Sequence, residues 1–273
     1  MTAATMITVA PTGAETAKAD VPALPTTLDE LVATAKACAA AGAAMIHVHL
    51  RDAADRSCLD VGALREAVAA IRAETELIVQ LSTGGGVEDS FVDRIAVLDA
   101  DPDSCSLTCG TVNFGDSVFA NPWPLMVELY TRCQDRGILP EFELFDLGHV
   151  ANLKRLLDSY GPPPGDRVHA DLVLGVPGAL PGTTEALVAV VAALPAEATW
   201  SATGIGRSTL PVALAALSAG GHLRVGMEDT LNLGPGSPVR DNAELVERAA
   251  SLAAAAQRPV MSPAQAREFL GLE

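Results

Sequence analysis

Eight short apolar runs, separated by alanine-rich stretches of helical character, constrain the fold of this chain more than any other feature. They begin at Met6 (MITVAP), Ala44 (AMIHVHL), Leu77 (LIVQLS), Ser104 (SCSLTCG), Pro140 (PEFELFD), His169 (HADLVLG), Thr199 (TWSATGIG) and His222 (HLRVGMED). Helices are predicted between them, over residues 27–41, 61–73, 122–136, 185–193, 210–219 and 242–256. The first carries its own start and stop signals, because Thr27 with Glu30 three residues on makes a capping box and Gly42 supplies a left-handed terminator. Strands alternating with helices build a parallel sheet, and eight such units close it. The expected fold is therefore an α/β TIM (β/α)8 barrel, a single domain over residues 1–273, close to the ~250 residues typical of such barrels. A doubly wound open sheet is the alternative. It fits less well, since the first run is followed by APTGAET and not by a GxGxxG dinucleotide cradle.

Charge narrows the partners. With 34 acidic against 18 basic residues and a net charge of -16, the chain offers no broad surface for nucleic acid or an anionic membrane. Any anionic ligand must be held by a few placed arginines. Aromatic content of 4% leaves no platform for stacked bases. No apolar run approaches the ~20 residues of a membrane span, and MTAATMITVAPTG lacks the basic region and long apolar core of a secretory signal. The five cysteines are odd in number and lack zinc-finger spacing, so they read as reduced thiols. A cytoplasmic protein acting on small molecules is expected.

In a barrel of this kind chemistry sits at the carboxyl ends of the strands. There His47 and His49 share one face, because alternate residues of a strand do, while Ile46, Val48 and Leu50 take the other. A pair of imidazoles on one face suits a metal; a pair of hydrogen-bonded core histidines is the plain alternative. In the eighth run Arg224, Gly226 and Glu228 share a face by the same period, so Glu228 is the candidate third ligand. The glycines of Ser82-Thr83-Gly84-Gly85-Gly86 fit either a tight turn or a backbone cradle for a carboxylate. Arg207, in GIGR after the seventh run, stands where barrels often bind phosphate, or else serves a subunit contact. Asp229 reads as a base or a cap, and Arg224 as a substrate group or a structural partner of Glu15. His149, His169 and His222 read as structural, the last two because they fall at strand beginnings.

Taken in order, ITVAPTGAE, AGAAMIHVHLRD, QLSTGGG, SLTCGTVNF, PEFELFDLGH, GIGR, GGHLRVGMEDTL and RPVMSPAQAREFLGL resemble the beta-keto acid cleavage enzymes over almost the whole chain. HxHxRD near the second strand together with GGHxRVGxED near the eighth is the specific part of the likeness. The resemblance implies a zinc-dependent homotetrameric barrel that condenses a beta-keto acid with acetyl-CoA and releases acetoacetate plus a new acyl-CoA, by way of a zinc-stabilised enolate, CoA transfer and retro-Claisen cleavage. It makes His47, His49 and Glu228 the zinc ligands and Glu15, Arg224 and Asp229 the catalytic polar group. Ser82, Gly85 and Thr108 would hold the substrate carboxylate, Glu143 would lie near the variable end of the substrate, and Arg207 is expected to contact CoA. The turn LGVPGALPG and the segment SCSLTCGTV depart from the usual family pattern, which leaves the keto acid open. Glu143 is compatible with a cationic end, with a hydroxyl, or with a scaffold role. An amidohydrolase carries its HxH on the first strand and further histidines after strands five and six, where this chain has Glu143 and Gly175. Another metal-dependent barrel lyase or hydrolase acting on a small carboxylic acid, and a barrel kept only for binding, are the remaining alternatives.

Overall fold

The computed structural model describes residues 4–272. Its centre is a closed barrel of eight parallel strands: β1 (Ile7–Val9), β2 (Met45–Val48), β3 (Ile78–Ser82), β4 (Ser104–Thr108), β5 (Leu139–Leu144), β6 (His169–Leu174), β7 (Thr199–Gly204) and β8 (His222–Val225). Each pairs with its neighbours in sequence, and β8 closes on β1 through Ile7 beside Leu223 and Thr8 beside Arg224. Every expected run thus holds one barrel strand. The (β/α)8 expectation is met.

Around the barrel run α1 (Leu28–Ala41), α2 (Val61–Glu74), α3 (Phe91–Ala96), α4 (Trp123–Arg136), α5 (Leu147–Tyr160), α6 (Thr184–Ala193), α7 (Thr209–Ala219) and α8 (Asn242–Ala255), with α9 (Pro263–Leu270) below. The capping box of Thr27 and Glu30 and the left-handed Gly42 bound α1 as its sequence foretells. Helices α3, α5 and α9 lie outside the expected spans; α3 and α9 are six and eight residues long, too short for a repeating stripe, whereas α5 runs for 14. Two-stranded hairpins after β2 (Leu50–Arg51 with Ser57–Cys58), β4 (Val112–Phe114 with Ser117–Phe119) and β8 (Asn232–Gly234 with Ser237–Pro238) were likewise unexpected.

Strand alternation sorts the residues into two environments. Outward side chains such as Ile46, Val48, Leu81, Leu107, Phe142 and Leu223 are buried under the helices in one continuous apolar layer. Full burial of a side chain of this size contributes about 1.5–3 kcal/mol. The inward face is polar instead, with Thr8, His47, Gln80, Ser106, Glu141, Asp171, Ser201 and Arg224 all buried. A buried polar group without a partner is costly, and most of these groups bond neighbouring side chains, while the Thr8 and Ser106 hydroxyls find no partner among the described residues. Below it, Met6, Met45, Ile78 and Leu139 pack with Met261, Ala266 and Leu270 around α9 and close the lower end.

Strand eight ends earlier than its sequence suggests. Rather than continuing to Asp229, the chain leaves β8 at Val225 and turns, so that the N–H groups of Asp229 and Thr230 both donate to the Gly226 carbonyl. Gly226 permits this, for a Cβ there would lie 1.9 Å from the Ala10 carbonyl oxygen. All five cysteines are free. No helix among the described residues is long and apolar enough to cross a membrane.

Candidate active site

A cavity of about 280 Å³ opens at the carboxyl end of the barrel, and His47, His49 and Glu228 stand in its wall. One ligand atom from each lies within 4.8 Å of the others. The two Nε2 atoms face each other at 3.2 Å, and the Glu228 oxygens reach to 3.8 Å from His47 and 3.7 Å from His49. Burial depresses both imidazoles, His47 to about 3, so both are neutral at physiological pH. Gln80 fixes the tautomer of His47. Its amide nitrogen donates to Glu141 Oε2 at 2.6 Å, which turns the amide oxygen to accept from His47 Nδ1–H, also at 2.6 Å. The lone pair of His47 is thereby left on Nε2, facing His49 and Glu228. Glu228 Oε2 is buried and receives no hydrogen bond. Two neutral imidazoles and a carboxylate with an unspent buried oxygen could together hold a metal ion.

The turn after β8, not strand alternation, brings both Glu228 and Asp229 to Arg224. The guanidinium bonds Glu228 Oε1 at 2.5 Å, Asp229 Oδ1 at 3.1 Å and Glu143 Oε1 at 3.1 Å, with Asp171 3.8 Å away on its inner side. One cation among four carboxyls, three of them buried, cannot keep all of them ionised. Burial pushes Glu143 and Asp171 upward against the pull of Arg224. Burial likewise lifts Asp229 to about 7, with Arg224 opposing and Glu228 reinforcing, whereas Arg224 and the two histidines hold Glu228 down at about 2 despite its own burial. The shared guanidinium and burial thus drive the neighbouring Glu228 and Asp229 in opposite directions, the first down and the second up.

Other residues singled out by sequence fall in different places. Ser82 and Gly85 line the cavity beside the metal donors. The Gly84 N–H is bonded to Ser82 Oγ and the Gly86 N–H to Asp89 Oδ2, so of these three glycines only Gly85 keeps an N–H for a ligand. Gly85 has φ +60°, and a Cβ there would meet Asp89 at 2.3 Å, so both the turn and the packing of Asp89 require glycine. Thr108 donates its hydroxyl to Glu143 Oε2 at 2.7 Å and is absent from the cavity lining. Glu143 is accordingly a floor residue, tied at one oxygen to Thr108 and at the other to Arg224, and not a free carboxylate at an outer end. Glu15 is exposed on the rim, apart from the Arg224 cluster; the expected pairing of the two is replaced by Glu143, Glu228 and Asp229. Arg207 lies outside this cavity, exposed beside a second one of about 750 Å³ between the turn after β7 and the hairpin after β8. The two cavities share Thr16, Ile205, Glu228 and Asp229.

Two residues of the site had no signal in the sequence. Gln80 was a polar residue two before Ser82 on one strand face, the single hint it gave. Arg94 is buried behind the cavity, where Nε donates to the Thr83 carbonyl at 2.7 Å, Nη1 to that of Ala120 at 2.8 Å and Nη2 to Asn121 Oδ1, with the Phe119 ring 4.9 Å away. It fastens the glycine turn after β3 to the hairpin after β4.

Residues 4–272 match the family described as beta-keto acid cleavage enzyme. The 3-keto-5-aminohexanoate cleavage enzyme of Acetoanaerobium sticklandii is 35% identical over 276 residues, covering 98% of each chain. The 3-oxoadipate:acetyl-CoA acetyltransferase of Cupriavidus necator is also 35% identical, over all of this chain and 96% of its own. Among solved structures, the ternary complex of ObcA with a C4-CoA adduct and oxalate superposes with a TM-score of 0.79 at 22% identity, over 92% of this chain and 68% of that one, a likeness of fold.

Proposed function

The chain belongs to the beta-keto acid cleavage enzyme family, and on that premise we propose that it exchanges acyl groups between a beta-keto acid and acetyl-CoA, yielding acetoacetate and a new acyl-CoA. The observation that carries this reading is the His47, His49 and Glu228 set beside Arg224 and Asp229 in one cavity at the barrel mouth. His47, His49 and Glu228 would hold a divalent ion, zinc by the nature of the donors. When bound, zinc supplies Lewis acidity that polarises a carbonyl.

The remaining steps belong to side chains. Ser82 and the Gly85 N–H take the substrate carboxylate, and Arg94 keeps their turn in place. Asp229 removes a proton from C2 of the keto acid, with Arg224 holding its carboxylate in position. C2 then bonds to the acetyl carbonyl carbon as the CoA thiolate leaves; the thiolate adds to C3, the C2–C3 bond breaks, and Asp229 returns the proton to C2. The atoms balance: one carbon–carbon bond forms and one breaks, while sulfur passes from acetyl to the new acyl group. Glu143 and Thr108 act from beneath, by fixing Arg224. The second cavity meets the first at Glu228 and Asp229, which supports it as the path of CoA with Arg207 near the phosphates.

The test is an isotope experiment. Zinc-loaded protein is incubated with acetyl-CoA labelled with 13C in both acetyl carbons and, separately, 3-oxohexanoate, 3-oxoadipate or 3-keto-5-aminohexanoate. Label at C3 and C4 of acetoacetate, with an equimolar unlabelled acyl-CoA, is expected from at least one acid. Label found only in acetate or unreacted acetyl-CoA with all three rejects the acyl exchange.

A further inference from the structure

Walking around the barrel, the polar groups of the cavity occupy one arc and apolar groups the other. His47 belongs to β2 and His49 follows it, Ser82 ends β3, Arg224 is on β8 and Glu228 and Asp229 follow it, so the polar arc is centred on β1. The CoA-sized groove leaves between the ends of β7 and β8. What remains is the arc opposite β1, formed by the ends of β4, β5 and β6. There Phe114 and Phe119 from the hairpin after β4, Phe145 after β5, Val173 on β6 and Val176 after it, joined by Val87, form an apolar wall, with Glu143 of β5 at its floor.

This wall is built rather than incidental. Phe114 meets the Phe119 and Phe145 rings edge-on, with centroids 6.1 and 6.3 Å away. The hairpin is anchored to the turn after β6 by the Gly115 N–H donating to the Pro177 carbonyl at 3.0 Å, and Arg94 holds Phe119 from behind. Among the described residues, each charged group along this arc already has a partner. The Arg94 guanidinium is spent on two carbonyls and Asn121, and both Glu143 oxygens are engaged by Arg224 and Thr108. Glu15 lies at the exposed rim.

We infer that the distal group of the keto acid is a short uncharged hydrocarbon chain seated against Phe114, Phe119, Phe145, Val173 and Val176. The inference rests on the acyl exchange proposed above and specifies the substrate class of the same site. A distal ammonium, as in the substrate named for the A. sticklandii relative, or a distal carboxylate, as in that named for the C. necator relative, would lose water here and gain no partner. A cavity of about 280 Å³ falls at the small end of ligand pockets and limits the chain to a few carbons.

The three six-carbon acids separate the possibilities, because they share a head and differ at the distal end. With zinc-loaded protein and acetyl-CoA, kcat/KM for 3-oxohexanoate should exceed that for 3-keto-5-aminohexanoate and for 3-oxoadipate by about 100-fold or more, the cost of an unpaired buried charge. Going from 3-oxopentanoate to 3-oxohexanoate should add about 4-fold for the extra methylene. A charged acid that equals or outruns 3-oxohexanoate overturns the inference and leaves the acyl exchange standing; acetoacetate from none of them rejects both. Calorimetry with unreactive acids reads the wall without turnover, hexanoate being expected to bind more tightly than adipate or 5-aminohexanoate, and the reverse order overturning the inference. Phe114→Arg, at a half-buried hairpin position, should raise the ratio of 3-oxoadipate to 3-oxohexanoate turnover at least about 10-fold, as one new cation pairs the distal carboxylate. An unchanged ratio in that folded variant removes Phe114 from the wall and the inference with it.

Discussion

Two pairs of buried histidines stand at the barrel's inner face, one toward each end, and they differ in what surrounds them. At the lower end His169 Nδ1 pairs with the Thr199 hydroxyl at 2.8 Å and Nε2 with that of Ser201 at 3.0 Å, with Glu141 at 3.4 Å; His222 Nδ1 accepts the Met6 N–H, and its ring packs against Phe269 at 4.7 Å. At the upper end His47 and His49 turn their Nε2 atoms toward one another and toward a carboxylate with an unbonded buried oxygen. Residue type and burial are the same in both places. What separates the two places is the neighbouring carboxylate, since Glu228 Oε2 has no hydrogen-bond partner among the described residues, and the Glu141–Gln80 link joins the two ends into one network.

The largest blow to the upper pair is His49→Ala. One donor lost from three should empty the site and lower kcat/KM by about 10³-fold or more, the several kcal/mol a metal contributes as a Lewis acid. Elemental analysis and far-UV circular dichroism together check it: an empty but folded barrel is expected, and full zinc content in the variant breaks the distinction between the pairs. Asp229→Asn comes next. It keeps the shape and one hydrogen-bonding oxygen, so zinc should stay while turnover falls ~10² to 10⁴-fold. Exchange of the C2 protons of the keto acid with D2O, followed by NMR, should fall in parallel; undiminished exchange with slow turnover would move the base to another group.

Gln80→Leu sharpens the comparison by cutting the link between the ends. Removing the acceptor of His47 Nδ1–H should weaken zinc affinity about 10- to 100-fold, read by competition with a chelator, while excess zinc restores turnover. Turnover that zinc cannot restore would mean that Gln80 supports the barrel itself. The sequence carried no warning of this residue, because a strand glutamine has no spacing rule that marks it; only its position between His47 and Glu141 gives it a role. Arg94 was hidden for a similar reason, since its partners come from segments 11 to 27 residues away. The barrel, by contrast, was legible from eight apolar runs, and the pairing of His47 with His49 from a period of two. That same period misdescribed Glu228: the strand stops at Val225, and a turn, whose backbone bonds no alternation rule anticipates, carries Glu228 and Asp229 to one guanidinium. The departures at LGVPGALPG and SCSLTCGTV marked a variable region. Only the structure shows that Val176 and the hairpin after β4 form one apolar wall there.

His222→Gln should have the smallest effect on turnover, and it tests the lower pair alone. Burial, then His169 and Arg258, hold the His222 imidazole down at about 3 from an ordinary value of 6.5, Glu141 opposing them. In the folded protein the ring stays neutral and accepts from Met6, whereas in the unfolded chain it takes a proton near its ordinary value. Between those two values the unfolded state binds more protons, so stability falls as pH drops, by up to about 5 kcal/mol for this group alone at the acid end of the window. Above pH 6.5 the ring is neutral in both states and contributes no slope. Glutamine does not titrate. Its altered packing shifts the whole stability curve by one offset, while the missing proton uptake flattens the acid limb, so slope and offset are separately readable. Urea unfolding midpoints from pH 7.5 to 4 should therefore decline less steeply in the variant, with zinc content and turnover at pH 7.5 unchanged. An equally steep decline would assign the acid sensitivity to the buried carboxylates. A fall in turnover at pH 7.5 would show that the lower pair reaches the chemistry through Glu141 and Gln80, and that the two ends work as one site.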